Sequence, residues 1–201
     1  FSSEDPPDPP VPAPDIPLYW IGPAERLSVT PGLHRFVWDL RYAPPVVPTY
    51  DYSIAAVPHR TPKSPQGVWV LPGTYQVRLT VGGRAYRQAV QVKMDPRVKT
   101  SVADLTLQWK QSRAVDTGLR DAAAASADLT RRLASAAATE RAPVQAAADA
   151  VTQAAAPLPD LLARLQAADA RPTDALDAAT TAALTKLTAA LAAYRSLKSG
   201  G

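Results

Sequence analysis

Apolar and polar positions alternate most regularly between Pro72 and Val98. Tyr75, Val77, Leu79 and Val81 fall at every second position, with Thr74, Gln76, Arg78 and Thr80 between them. A period of two places one set on each face of a strand. Gly82-Gly83 follows and supplies the positive φ angles of a two-residue hairpin turn. On the return, Tyr86, Val90, Val92 and Met94 share one face, and Arg87, Ala89, Gln91 and Lys93 share the other. The pattern predicts a β-hairpin.

A second alternating run covers Leu33 to Tyr42. His34, Phe36, Trp38 and Leu40 share one face; Arg35, Val37, Asp39 and Arg41 share the other. The aromatic face is expected to fill much of a core, because burying one aromatic removes about 150–250 Å² from water. Leu18–Ile21, Leu27–Val29 and Val68–Val70 are shorter apolar clusters. Gly22-Pro23, Pro31-Gly32 and Pro72-Gly73 punctuate them. Residues 43–66 carry Pro44, Pro45, Pro48, Pro58, Pro62 and Pro65, too many for a central strand. They are expected to form a long loop with one short edge strand near Tyr50–Ile54. Short strands, Pro/Gly turns and no helical period before Val98 together predict a small immunoglobulin-like β-sandwich.

The period changes after Lys99. Ser101 followed by Asp104 fits a capping box. Leu105, Trp109, Leu119, Leu129 and Leu133 then recur at helical spacing, which predicts a helix to about Ala138. A second helix is expected from Glu140, with Pro143 in its first turn. Pro157-Leu158-Pro159 breaks it, and Leu161, Leu162 and Leu165 continue its face. Thr173 is the expected cap of the last helix. The fold class read from these patterns is α+β in separate domains. A proline-rich extended segment spans 1–17, an immunoglobulin-like sandwich 18–98, and an alanine-rich, antiparallel three-helix bundle or helical hairpin 99–201.

Composition sharpens the division. Sixteen of the 21 prolines precede Gly73, and about a third of the residues after Lys99 are alanine. Lys and Arg number 22 against 18 acidic residues. This balance, with no basic run or stripe, argues against nucleic acid as a partner. There is no cysteine, so disulfides and thiolate metal sites are excluded. No apolar run is long enough for a membrane-spanning helix. The chain begins at Phe1 rather than Met, which leads to the expectation of a piece excised from a longer protein.

No constellation of reactive side chains emerges. His34 and His59 are the only histidines and lack metal-ligand spacing, so no metal, cofactor or catalytic residue is expected. Asp39 beside Arg41 suggests a local ion pair, and Asp95-Pro96 a turn. Nothing identifies two carboxylates facing across a cleft, as glycoside hydrolysis requires. Gly82-Gly83 joins two strands and is no phosphate loop. Tyr42, Tyr50, Tyr52 and Trp69 lie in or beside the long loop. They are the candidate ligand or partner contacts, for docking onto a neighbour or for stacking on sugars.

Gly32–Tyr42, Pro72–Leu79 and Lys93–Val98 together resemble a particular family: the C-terminal region of bacterial exported proteins built on BNR/sortilin-like (VPS10-type) β-propellers, often labelled glycosyl-hydrolase-like. The resemblance implies an immunoglobulin-like module after the propeller, leading into helices. It implies a secreted or periplasmic location, with any catalytic residues in the propeller rather than in this chain. The leading expectation is a non-catalytic accessory or assembly module that packs on the propeller of the same parent protein, on a second copy or on another partner. The alternatives are a carbohydrate-binding module using Tyr50, Tyr52 and Trp69, and a loop donor to a glycosidase-like propeller site through Asp51 or Arg60.

Overall fold

The computed structural model describes residues 2–5, 16–21, 27–47, 50–52, 59 and 61–199. Its longest element is helix α1, Val102–Ser135. Ser101 caps it: the Ser101 Oγ accepts the Asp104 N–H at 3.1 Å and donates to the Asp104 carboxylate at 2.7 Å. At 1.5 Å per residue, α1 is about 51 Å long. Leu105, Ser112, Val115, Leu119, Ala122, Ala125 and Leu129 are buried along it, three, four or seven residues apart. This is one stripe of an amphipathic helix.

Helix α2, Ala138–Ala155, turns back along α1. Pro143 lies inside α2 rather than in its first turn, so its ring nitrogen cannot donate to the Thr139 carbonyl. Helix α3, Leu158–Leu165, restarts after Pro157 and buries all four of its leucines, Leu158, Leu161, Leu162 and Leu165. Helix α4 spans Asp174–Ser199, with the Leu176 N–H bonded to the Thr173 Oγ1 at 3.2 Å. Gln111 of α1 bonds Asp177 of α4, and Asp128 bonds Tyr194. Both partners advance together, so α4 runs parallel to α1, with α2 and α3 as the return limb. At Gly118 there is little room for a side chain. A β-carbon there would lie 3.1 Å from Leu187, 3.3 Å from Leu184 and 3.5 Å from Leu158.

Among the described residues the expected immunoglobulin-like sandwich does not form. Among the described residues there are two sheets, each of two strands. Strand β1, Asp51–Tyr52, pairs with β2, Lys63–Ser64; strand β3, Gly73–Val81, pairs with β4, Arg84–Val92. Leu33–Tyr42 joins no ladder and contributes only the bridge between Arg41 and Trp69. One cause is Leu40, whose φ of 61° turns the chain inside the alternating run. Another is the scarcity of edges to pair with, because Pro44, Pro45, Pro62 and Pro65 interrupt the neighbouring segments. The aromatic face is therefore not a core: Phe36 is 44% exposed and Leu40 37%. Leu18–Trp20 forms a 3-10 turn. Gly22-Pro23, residues 6–15 and Arg60 lie outside the described residues.

The core sits among the helices instead. Val115, Leu129, Val151, Leu158, Leu162 and Leu187 are almost completely buried. Val47 and Val68 extend the same cluster from the N-terminal half. They belong to a strap formed by residues 41–47 and 66–70. The Tyr42 N–H donates to the Val68 carbonyl and the Val70 N–H to the Leu40 carbonyl, each at 2.9 Å. Gly67 allows this approach, since a β-carbon there would meet the Tyr42 carbonyl oxygen at 1.7 Å.

Candidate interaction surface

The hairpin has the register that its sequence pattern implies. Tyr75 lies opposite Val90, Leu79 opposite Tyr86 and Val81 opposite Arg84. One face therefore carries Tyr75, Val77, Leu79, Val81, Tyr86 and Val90, with Gln88 opposite Val77 and Arg84 opposite Val81 at its turn end. Only its base is covered. The Trp38 and Tyr75 rings meet edge-on with centroids 5.5 Å apart, and the Tyr75 hydroxyl donates to the Leu71 carbonyl at 2.6 Å. Beyond that contact the face is open. Val77 is 49% exposed, Leu79 52%, Val81 59% and Tyr86 52%. A contiguous exposed apolar face of this kind marks an interaction surface more often than isolated exposed side chains do.

The opposite face is cationic. Arg78 lies directly across from Arg87. Arg84, opposite Val81, stands at the turn on the apolar side, with its guanidinium 5.8 Å from the Tyr86 ring centroid. Lys93 follows β4. Between Asp51 and Asp95 the sequence holds six Lys/Arg residues and no carboxylate. Reading the charge as evenly spread misses this local excess. The hairpin meets α1 through a short junction where the Arg97 guanidinium pairs with Asp95 at 2.6 Å. That pair holds the exposed Asp95 carboxyl below the usual carboxylate range.

The four aromatic candidates are distributed along the strap and the β1–β2 ribbon. Tyr42 is half-buried, with the Arg113 guanidinium 4.3 Å from its ring centroid. The Arg41 guanidinium lies 3.6 Å from the Trp69 ring centroid, and the Trp69 N–H donates to the Gln166 Oε1 at 2.8 Å. Burial lowers the affinity of Arg41 for its proton; nearby Asp39 opposes the shift. Lys63 Nζ is 4.7 Å from the Tyr50 ring centroid, and the Tyr50 hydroxyl donates to the Pro45 carbonyl at 2.9 Å. Tyr52 is half-buried next to exposed Asp51. Three of the four rings thus have a cation of the same chain against one face, and of these Arg113 on α1 joins helix to strap.

Other sequence candidates are locally engaged. Asp39 accepts the Arg41 backbone N–H at 3.0 Å, serving the turn at Leu40. His34 Nε2 lies 2.7 Å from the Thr30 carbonyl oxygen, and His59 packs edge-on against Tyr19. An open cleft of about 280 Å³ lies between the strap and α3, lined by Arg41, Lys63, Gln66, Leu162 and Gln166. Its principal polar groups already serve the strap: Arg41 donates to the Gly67 carbonyl at 2.7 Å, and Gln166 holds Trp69. Among the described residues no group of His, Asp or Glu has the arrangement of a metal site, and no helix is long and apolar enough to cross a membrane. Comparison with family models, with curated proteins and with solved structures yields no match.

Proposed function

We propose that this chain is a non-catalytic assembly module, an accessory part of an exported protein, whose helical base presents the β3–β4 hairpin to a larger partner. The observation that carries this reading is the open hairpin face, with Val77, Leu79, Val81 and Tyr86 each about half exposed. Apolar side chains at this density gain free energy when covered, at about 25 cal/mol per Å² of area removed from water. The helical core contains none of them, so their chemistry is directed outward. The resemblance noted for Gly32–Tyr42, Pro72–Leu79 and Lys93–Val98 suggests the β-propeller of a bacterial exported parent protein as the body to which the module attaches.

Site-specific crosslinking tests the reading. A photoreactive p-benzoylphenylalanine replaces Leu79 in the protein as its own host makes it; the same residue at exposed Lys186 on α4 is the control. Position 79 is expected to crosslink to one defined protein region and position 186 to none. Crosslinking at 79 no stronger than at 186 would rule the module reading out.

A further inference from the structure

We infer that β4 accepts a third strand from a partner segment in which apolar residues alternate with Asp or Glu. This rests on the assembly reading and specifies the chemistry of the partner.

Among the described residues each strand of the hairpin has a single neighbour. A two-stranded sheet alone is marginally stable in water, and a third strand or a covering layer is what stabilises it. The outward N–H and C=O groups of β4 form a template for main-chain pairing. The side chains determine what can pair there. On one face a strand beside β4 would lie against Tyr86 and Val90, which are 52% and 37% exposed. On the other face Arg87 stands between Ala85 and Ala89, whose methyl groups leave the guanidinium open to a lateral neighbour. Arg87 also faces Arg78 directly across the ladder. Like charges in that position destabilise a hairpin, and an added carboxylate relieves the repulsion. Among the described residues no ion pair engages Arg78, Arg84, Arg87 or Lys93.

The same features discriminate between possible occupants. A second copy would bring four basic residues of one hairpin against four of the other, with no carboxylate in either. A lipid surface would cover the apolar face but leave the strand edges unpaired, which hydrocarbon does not tolerate. Nucleic acid would neutralise the arginines and leave Val77, Leu79 and Val81 in water. An alternating apolar and acidic strand satisfies the edge, the apolar face and the cations together.

The test uses the whole chain and a capped peptide alternating valine with glutamate. Binding is followed by fluorescence anisotropy and by hydrogen exchange at the β4 amides. A valine–lysine peptide and a peptide with proline at alternate valines are the controls. The glutamate peptide is expected to slow exchange in β4 and to bind about tenfold tighter than the lysine peptide, the scale of two or three exposed ion pairs exchanged for like-charge contacts. The proline peptide should not bind. Arg87→Glu, checked for unchanged helical circular dichroism, should reverse the preference between the two charged peptides. Equal affinities, an unreversed preference, or protection confined to the helices would overturn the inference. So would hairpin-dependent self-association, or binding to phosphatidylserine vesicles without a peptide preference. Crosslinking at position 79 without a peptide preference would remove the strand-addition inference and leave the module reading intact.

Discussion

Asp116 is where strap and helix bundle are locked together, and neutralising it should release the strap. Its side chain is 1% exposed, with Arg113 at 3.0 Å and Arg120 at 3.1 Å. Arg120 reaches on to the Ala43 carbonyl at 2.6 Å and the Pro44 carbonyl at 3.0 Å. Arg113 covers the Tyr42 ring. One buried carboxylate therefore orients two guanidinium groups that hold the strap from both sides. Asp116→Asn keeps the shape and removes the charge. Breaking a fully dry ion pair costs about 3–5 kcal/mol. Here the arginines remain 35% and 39% exposed. Water screens the charges left behind, which brings the expected cost down to about 2–3 kcal/mol.

Urea denaturation followed by helical circular dichroism measures that loss. Hydrogen exchange at Tyr42 measures the strap separately, because its N–H donates to the Val68 carbonyl. Exchange there should accelerate more than at Leu119 in the middle of α1. A double-mutant cycle with Arg120→Met should show a coupling of about 1–2 kcal/mol. Replacing Arg113, Asp116 and Arg120 together by Met, Leu and Met should restore helix stability while the strap stays loose, since buried ionic clusters can be exchanged for apolar packing without loss. A cost below about 0.5 kcal/mol for Asp116→Asn, with Tyr42 exchange unchanged, would refute the clamp.

Gly67→Ala should displace the strap by steric means alone, because its β-carbon would meet the Tyr42 carbonyl oxygen at 1.7 Å. A loss of about 2 kcal/mol and faster Tyr42 exchange are expected, with the circular dichroism of the helices preserved. Leu79→Asp should change stability by no more than about 0.5 kcal/mol, since the side chain is 52% exposed; a larger loss would mean that the hairpin face is covered within the chain itself. Burial, and then the bond to Asp128, raises the Tyr194 hydroxyl above the usual tyrosine range. The folded chain thus keeps this proton to higher pH than the unfolded chain does. Its contribution to stability is complete below about pH 10, the unfolded value, and is lost as pH rises through the folded one. Stability measured against alkaline pH should therefore decline less steeply in Tyr194→Phe, and an identical slope would refute the assignment.

What could be read from the sequence was local. The hairpin follows from a period of two and Gly82-Gly83; Ser101 and Thr173 cap their helices where short-range rules put them. Leu33–Tyr42 is misread because alternation says which side chains would share a face, not whether another strand exists to pair. The left-handed turn at Leu40 has no signal in a residue that rarely adopts it. Arg113, Asp116 and Arg120 could be read as an exposed i, i+3 and i, i+4 cluster; their burial depends on residues 43 and 44, which Arg120 reaches across separations of 77 and 76 positions. Arg41 over Trp69 and Arg113 over Tyr42 are likewise non-local. The cationic hairpin was visible as a carboxylate-free run from residue 52 to 94. Averaging charge over the whole chain conceals it.

The strap and the hairpin use the same residue types to opposite ends. Around the strap, Arg41, Lys63 of β2 and Arg113 of α1 each lie against an aromatic ring of their own chain, and strap main-chain groups find partners on the helices. Those contacts convert aromatic and cationic surface into attachment. In the hairpin Arg78 and Arg87 on the polar face stand opposite one another, and beyond Tyr75 no described strand or helix covers the apolar face. The helices supply the core without it: Val115, Leu129, Val151, Leu158, Leu162 and Leu187 are buried irrespective of what happens at Val77 or Leu79. A hairpin whose turn and register are set locally can form without burying its face, so its apolar and cationic sides remain available together. That availability separates a docking element from a missing piece of core. It also makes the charge of the arriving strand, rather than its hydrophobicity alone, the property that should determine what binds.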